Sequence, residues 1–142
     1  MVKNNSIMKK LLILLFSFGI LFTSPIKADT VLYCQSELIS GVMKKNGLWK
    51  TTTFNQQRYT VKFNNDYSQL EGLTTMPWVC QVPYSFYPDQ IFCVNSWGSH
   101  QTFVYSKKTK RFLMTEISSG GYVRNPEDAD TDSLSVGTCK AF

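Results

Sequence analysis

Histidine occurs once in this chain, at His100. A triad needs a base held by a third group beside its nucleophile. Ser96 and Ser99 are His100's only near candidates, and neighbours in one turn seldom reach that geometry. A histidine-built metal centre is excluded too, since one imidazole leaves only carboxylates to complete it. The four cysteines contain no close pair of the C-x-x-C kind that zinc sites use. Their separations of 46, 13 and 46 residues instead suit disulfides. No apolar run approaches the ~20 residues that a membrane-spanning helix requires. No stretch sustains an amphipathic 3.6-residue period over three turns, and there is no repeat, linker or low-complexity tract.

The longest apolar run, Leu11 to Phe22, is 12 residues long. Lys3, Lys9 and Lys10 precede it, and the small-residue pattern Ile26-Lys27-Ala28 follows. That order predicts a secretory signal peptide over residues 1–28, removed after Ala28. Residues 29–142 then form one domain, without a membrane anchor, in the periplasm or outside the cell. No cysteine adjoins the cut, which argues against a lipid anchor. Removal also changes the charge. Four of the 15 basic residues lie in the leader and no acid does, so 11 basic residues face 10 acidic ones, net +1. Nucleic-acid binding, which needs a concentrated basic face, is not expected.

Export and an even cysteine count predict two disulfides. Three pairings are possible, and we favour Cys80–Cys93 and Cys34–Cys139. The first pair flanks a loop between two apparent strands, and the second joins the two ends of the domain.

Strand-like segments recur through the mature chain. Asn46-Gly47 is a two-residue hairpin signal, because both positions tolerate positive φ. It predicts strands near 40–45 and 48–54, with a separate strand over 31–38. Arg58 to Phe63 alternates, with Tyr59, Val61 and Phe63 on one face. Asn64-Asn65-Asp66 is a turn, and residues 67–75 make a strand weakened by Gly72. Residues 78–82 and 90–97 pair as a hairpin. Opposing Cys80 to Cys93 sets Trp78 against Asn95, Val79 against Val94, Gln81 against Phe92 and Val82 against Ile91. Both faces are then apolar, as in a covered central hairpin. Residues 101–106 and 111–118 form another hairpin, and 133–142 a last strand. Short strands with turns every 8–12 residues predict an all-β fold, a small antiparallel β-sandwich or β-barrel stapled by the two disulfides. Seventeen aromatics in the 114 mature residues agree with it.

The candidate sites are few. Asp128, Asp130 and Asp132 match the start of a calcium loop, but Ser133 and Cys139 stand where its glycine and distal glutamate belong. We read a solvated acidic turn that includes Glu127, and we expect no metal or cofactor. Lys107, Lys108, Lys110 and Arg111 form a basic hairpin tip, suited to keeping strands soluble or to meeting an anionic envelope polymer. The loop Pro83-Tyr84-Ser85-Phe86-Tyr87-Pro88-Asp89 holds three aromatics between two prolines, unusual where loops tend to be polar. Tyr84, Phe86 and Tyr87 are therefore the candidate binding residues, with an envelope glycan or protein as partner. The opposing expectation is a loop that folds back to cap the barrel.

Cys34 soon after the cut, Asn46-Gly47-Leu48-Trp49-Lys50, Cys80 with Cys93, Lys108-Thr109-Lys110-Arg111-Phe112, Gly121-Tyr122-Val123 and Gly137-Thr138-Cys139 carry a resemblance. The chain resembles a loose group of small exported bacterial proteins with two cysteine pairs and no known activity. The Ser-Gly-Ala-Arg-Tyr stretch of small periplasmic lysozyme inhibitors is absent. The expectation is a non-enzymatic binding or interaction protein of the bacterial envelope. Its alternative is a small glycan hydrolase working with carboxylates alone, Glu116 with an aspartate. Glu37, Asp66, Glu71 and Asp89 are further carboxylates, and no spacing singles out a pair.

Overall fold

The computed structural model describes residues 28–95, 100–117 and 131–142. The described residues form nine strands in order: β1 (Thr30–Lys45), β2 (Leu48–Thr53), β3 (Arg58–Phe63), β4 (Gln69–Glu71), β5 (Trp78–Gln81), β6 (Gln90–Asn95), β7 (His100–Ser106), β8 (Arg111–Ile117) and β9 (Asp132–Ala141). All pairings are antiparallel. Strands β3 to β9 pair in sequence, and β1 closes the ring by pairing with both β3 and β9. The result is an eight-stranded barrel with β2 as an extra strand.

β1 does three jobs along its 16 residues. Its first half pairs with β3, its second half with β2, and its other edge with β9. The sequence suggested two strands here, over 31–38 and near 40–45. Gly41 instead lies inside β1, where a β-carbon would run into the Asp132 carbonyl. The glycine permits close approach of β9 rather than ending a strand. Asn46 and Gly47 turn the β1–β2 hairpin at φ of 55° and 76°, as an Asn-Gly turn requires. Residues 54–57 then run on beside β1, with Phe54 N–H donating to Ile39 O and Ser36 N–H to Gln57 O, both at 2.9 Å. The β1–β9 register shifts between Ser36 and Leu38, a bulge that bends the long strand.

The inward positions alternate as strands dictate. Leu32, Val61, Phe63, Leu70, Trp78, Ile91, Phe103, Tyr105, Phe112 and Met114 are buried there. Rings stack across the interior, Phe103 on Phe112 at 5.4 Å and Phe63 on Tyr105 at 5.7 Å between centroids. An eight-stranded barrel is just wide enough for side chains to fill. Both disulfides also lie inside. Cys34–Cys139 and Cys80–Cys93 join directly opposed residues of neighbouring strands, with Cα atoms 3.9 and 4.0 Å apart. The expected pairing is the one present.

The β5–β6 register is also as expected through Gln81 and Phe92. The hairpin is not covered, however. Val79 and Val94 are exposed on its outer face, because closure of the barrel turns one face of every strand to solvent. Phe92, Val104, Leu113, Val136 and Leu38 form an apolar row across this outer wall through successive cross-strand partners.

Alternating strand direction sorts the connections into two ends. The lower end holds residue 28, turns 64–68, 82–89 and 107–110, and Phe142. The upper end holds the Asn46-Gly47 hairpin, residues 54–57 and 72–77, and the starts of β7 and β9.

Candidate functional site

The lower end brings together two segments that stand apart in sequence. In the β5–β6 connection, Tyr87 N–H donates to Tyr84 O (3.1 Å) and Gln90 N–H to Tyr87 O (3.0 Å). Two successive tight turns therefore fix the loop between its prolines. The β7–β8 tip is tied to it, Lys107 N–H donating to Asp89 O at 2.8 Å. Tyr84, Phe86 and Tyr87 point outward, with relative exposures of 52%, 70% and 60%. Their nearest ring partners are one another: Tyr84 stacks on Phe86 at 5.2 Å, and Tyr87 meets Phe86 edge-on at 4.8 Å. They do not fill the barrel, whose interior is occupied by Phe63, Tyr105, Phe103 and Phe112.

Between this loop and the basic tip lies a cleft of about 510 Å³. Phe86 and Tyr87 form one wall and Lys108 the other, with Asp89, Gln90 and Ser106 between them. Lys107 instead sits over the Tyr67 ring, 5.2 Å from its centroid. Among the described residues no ion pair engages Lys108, Lys110 or Arg111.

No family model, curated protein or solved structure matches this chain. Its reading rests on its own residues.

The other candidates scatter. His100 is the exposed first residue of β7, opposite Ile117. Ser96, Ser99 and the rest of the segment 96–99 lie outside the described residues. So do residues 1–27 of the expected signal peptide 1–28, Tyr122, Val123, Glu127, Asp128 and Asp130. Asp132 opens β9. Among the described residues no group of three His, Cys, Asp or Glu could hold a metal ion. Asp29 and Glu71 reach Lys62 at 3.0 and 3.8 Å. Asp66 accepts a hydrogen bond from Ser68 N–H (2.9 Å), and bonds from the Ser68 side chain and backbone hold its carboxyl below the usual range. A wider concavity, of about 850 Å³, is an open trough on the outer wall with Ser40, Val42, Thr51 and Leu134. It gathers no cluster of chemistry-bearing groups.

A second site went unread in the sequence. The inward layer nearest the upper end is polar. Trp78 Nε1–H donates to Thr74 Oγ1 (3.0 Å), and Asn95 Nδ2 to Gln101 Oε1 (3.2 Å). Tyr59 Oη donates to Gln57 Oε1 (2.6 Å), and Gln57 N–H donates to Ser36 Oγ (2.6 Å). Glu116, half-buried, stands beside Tyr59. Burial first, and the Glu116 carboxylate second, raise the Tyr59 hydroxyl above its ordinary pKa, while the adjacent Ser135 hydroxyl opposes the shift. Tyr59 gives its proton to Gln57, and Ser135 Oγ, 1% exposed, finds no partner of hydrogen-bonding geometry among the described residues. A cavity of about 100 Å³ opens here, lined by Ile39, Phe54 and Met114 and by the polar Gln57, Tyr59, Glu116, Thr131, Ser133 and Ser135. The signal was small polar residues at inward positions of β9, Ser133 and Ser135, in step with Gly137 and Cys139.

Proposed function

We propose that this is an exported, non-enzymatic binding protein of the bacterial envelope, and that its ligand is an acidic glycan or polyol polymer held at the lower end of the barrel. The observation that carries the reading is the exposure of Tyr84, Phe86 and Tyr87 on a braced loop beside Lys108, which no ion pair engages among the described residues. Exposed aromatics are expensive on a surface with no partner, and grouped ones mark binding sites. Aromatic faces suit the C–H faces of sugar rings, while Lys108 suits a carboxylate or phosphate on the same unit. The cleft falls within the ordinary range for a small-ligand site, ~300–1,000 Å³. The braced loop has little freedom left to lose, which lowers the cost of binding.

All four cysteines are paired and inside the barrel. That fits folding in an oxidising compartment. Among the described residues no helix is long and apolar enough to cross a membrane. The signal-like N-terminus adds export, to the periplasm or beyond.

Native electrophoresis through gels containing polygalacturonate, a polyuronate, tests the proposal against gels containing neutral dextran. Retardation by the acidic polymer alone is expected, weakening as salt screens Lys108. Equal retardation by both polymers would remove the acidic requirement. Retardation by neither would remove the glycan.

A further inference from the structure

We infer that the upper mouth of the barrel is a second binding site, for a primary ammonium group at the end of an alkyl chain, held by Glu116 and Ser135. The inference stands apart from the aromatic end, which lies at the opposite pole of the barrel.

Three features specify the chemistry. First, the site is acceptor-rich. Tyr59 donates its proton to Gln57, and Gln57 N–H donates to Ser36, so those donors are already committed. Glu116 offers a carboxylate that forms no ion pair among the described residues. Ser135 offers a buried hydroxyl without a partner of hydrogen-bonding geometry among the described residues. A buried polar group left unmatched is costly, and such groups are few in folded proteins. The complementary ligand brings donors and positive charge. An ammonium group carries three donors and no acceptor.

Second, part of the wall is apolar. Ile39, Phe54 and Met114 line the cavity next to the carboxylate. They suit methylene groups. A calcium site gains affinity from its count of charged ligands, and this lining holds one carboxylate.

Third, the volume is small. About 100 Å³ accommodates roughly three water-sized groups, at ~30 Å³ each. That is an ammonium nitrogen and a few carbons, the tip of a lysyl side chain or of a free alkylamine. Both sources share one chemistry.

Nuclear magnetic resonance titration of the oxidised protein, following backbone amides, tests the inference with n-butylammonium, Nα-acetyl-lysine amide and 1-butanol. Either amine should shift the amides of Ile39, Tyr59, Met114 and Ser135, with Kd of about 1 mM or tighter. Binding of butylammonium alone assigns the site to free amines. Binding of the lysine derivative as well extends it to a lysyl side chain. Glu116→Gln should weaken binding at least tenfold, and Ser135→Ala several-fold. Butanol binding as well as the amines, an unchanged Kd in Glu116→Gln, or no shift at these amides would overturn the inference. Should Glu116→Gln fail to fold, Ser135→Ala decides, because it removes only one hydroxyl. An unchanged Kd in that variant would be equally fatal.

Discussion

Gly137 faces inward on β9 where the bulge in β1 brings the strands close. A β-carbon there would run into the Gln35 carbonyl and lie 2.7 Å from Phe112 Cε1 and 2.8 Å from Ser36 Cα. Two of these atoms are backbone, so neither side can yield cheaply. Gly137→Ala should therefore cost about 1–3 kcal/mol. Guanidinium unfolding should show this as a lower midpoint at unchanged slope. Ser135, two residues away, predicts the opposite sign. An unmatched buried hydroxyl costs ~1–3 kcal/mol, so Ser135→Ala should raise stability by about 1 kcal/mol. A loss of similar size would mean that the hydroxyl has a partner in the fold. A variant that gains stability while losing amine affinity would show a stability–function trade-off. Tyr59 and Tyr105 add a pH dependence. Burial raises both hydroxyls above their ordinary pKa of 10.0, helped by Glu116 at Tyr59 and by Tyr67 at Tyr105. A raised folded value favours the protonated state, so this contribution is complete below pH 10 and is lost as pH rises through the folded values. Urea unfolding above pH 10 should show falling stability, with a shallower fall in Tyr105→Phe.

The elements were legible wherever local chemistry alone determines them. Asn46-Gly47 specified its hairpin because the turn needs positive φ at both positions. Arg58 to Phe63 announced β3 by alternation, and the Cys80–Cys93 register fixed the β5–β6 pairing. Failures came where tertiary contact decides. Residues 31–38 and 40–45 read as two strands until β9 is laid along both. Apolar residues on both faces of β5 and β6 read as a covered hairpin, yet the fold leaves the outer face to solvent. Glu116 stood in the sequence as one carboxylate among several, and nothing joined it to Ser133 and Ser135 until the barrel closed around them. The two disulfides act on chain segments of very different length, spanning 105 and 13 residues. In the loop-entropy model such closures contribute ~4.7 and ~3 kcal/mol. Replacing Cys34 and Cys139 by Ala should thus lower the melting temperature more than replacing Cys80 and Cys93. Equal losses would show that the long closure does not dominate.

At the scale of the whole molecule, sequence left sandwich and barrel undecided. Closure depends on β1 meeting β9, about a hundred residues apart, and only the Cys34–Cys139 pairing hinted at it. Once closed, the barrel separates two kinds of end. The lower end gathers the aromatic loop, the basic tip and the cleft between them. The upper end opens a polar mouth around Glu116. The middle is packed with rings and disulfides and serves to hold both ends in place. This division lets binding and stability be perturbed separately, and the triple variant Tyr84→Ala, Phe86→Ala, Tyr87→Ala measures it directly. Surface changes usually stay within ~0.5 kcal/mol each, so these exposed rings predict a melting temperature lowered by no more than a few degrees. Retardation in polygalacturonate gels should fall at least tenfold in affinity, about 1.4 kcal/mol. A near-native melting temperature with lost retardation is the result the account predicts. Loss of ~3–5 kcal/mol per ring, as for truncated core aromatics, or retardation equal to that of the unaltered protein, would contradict it.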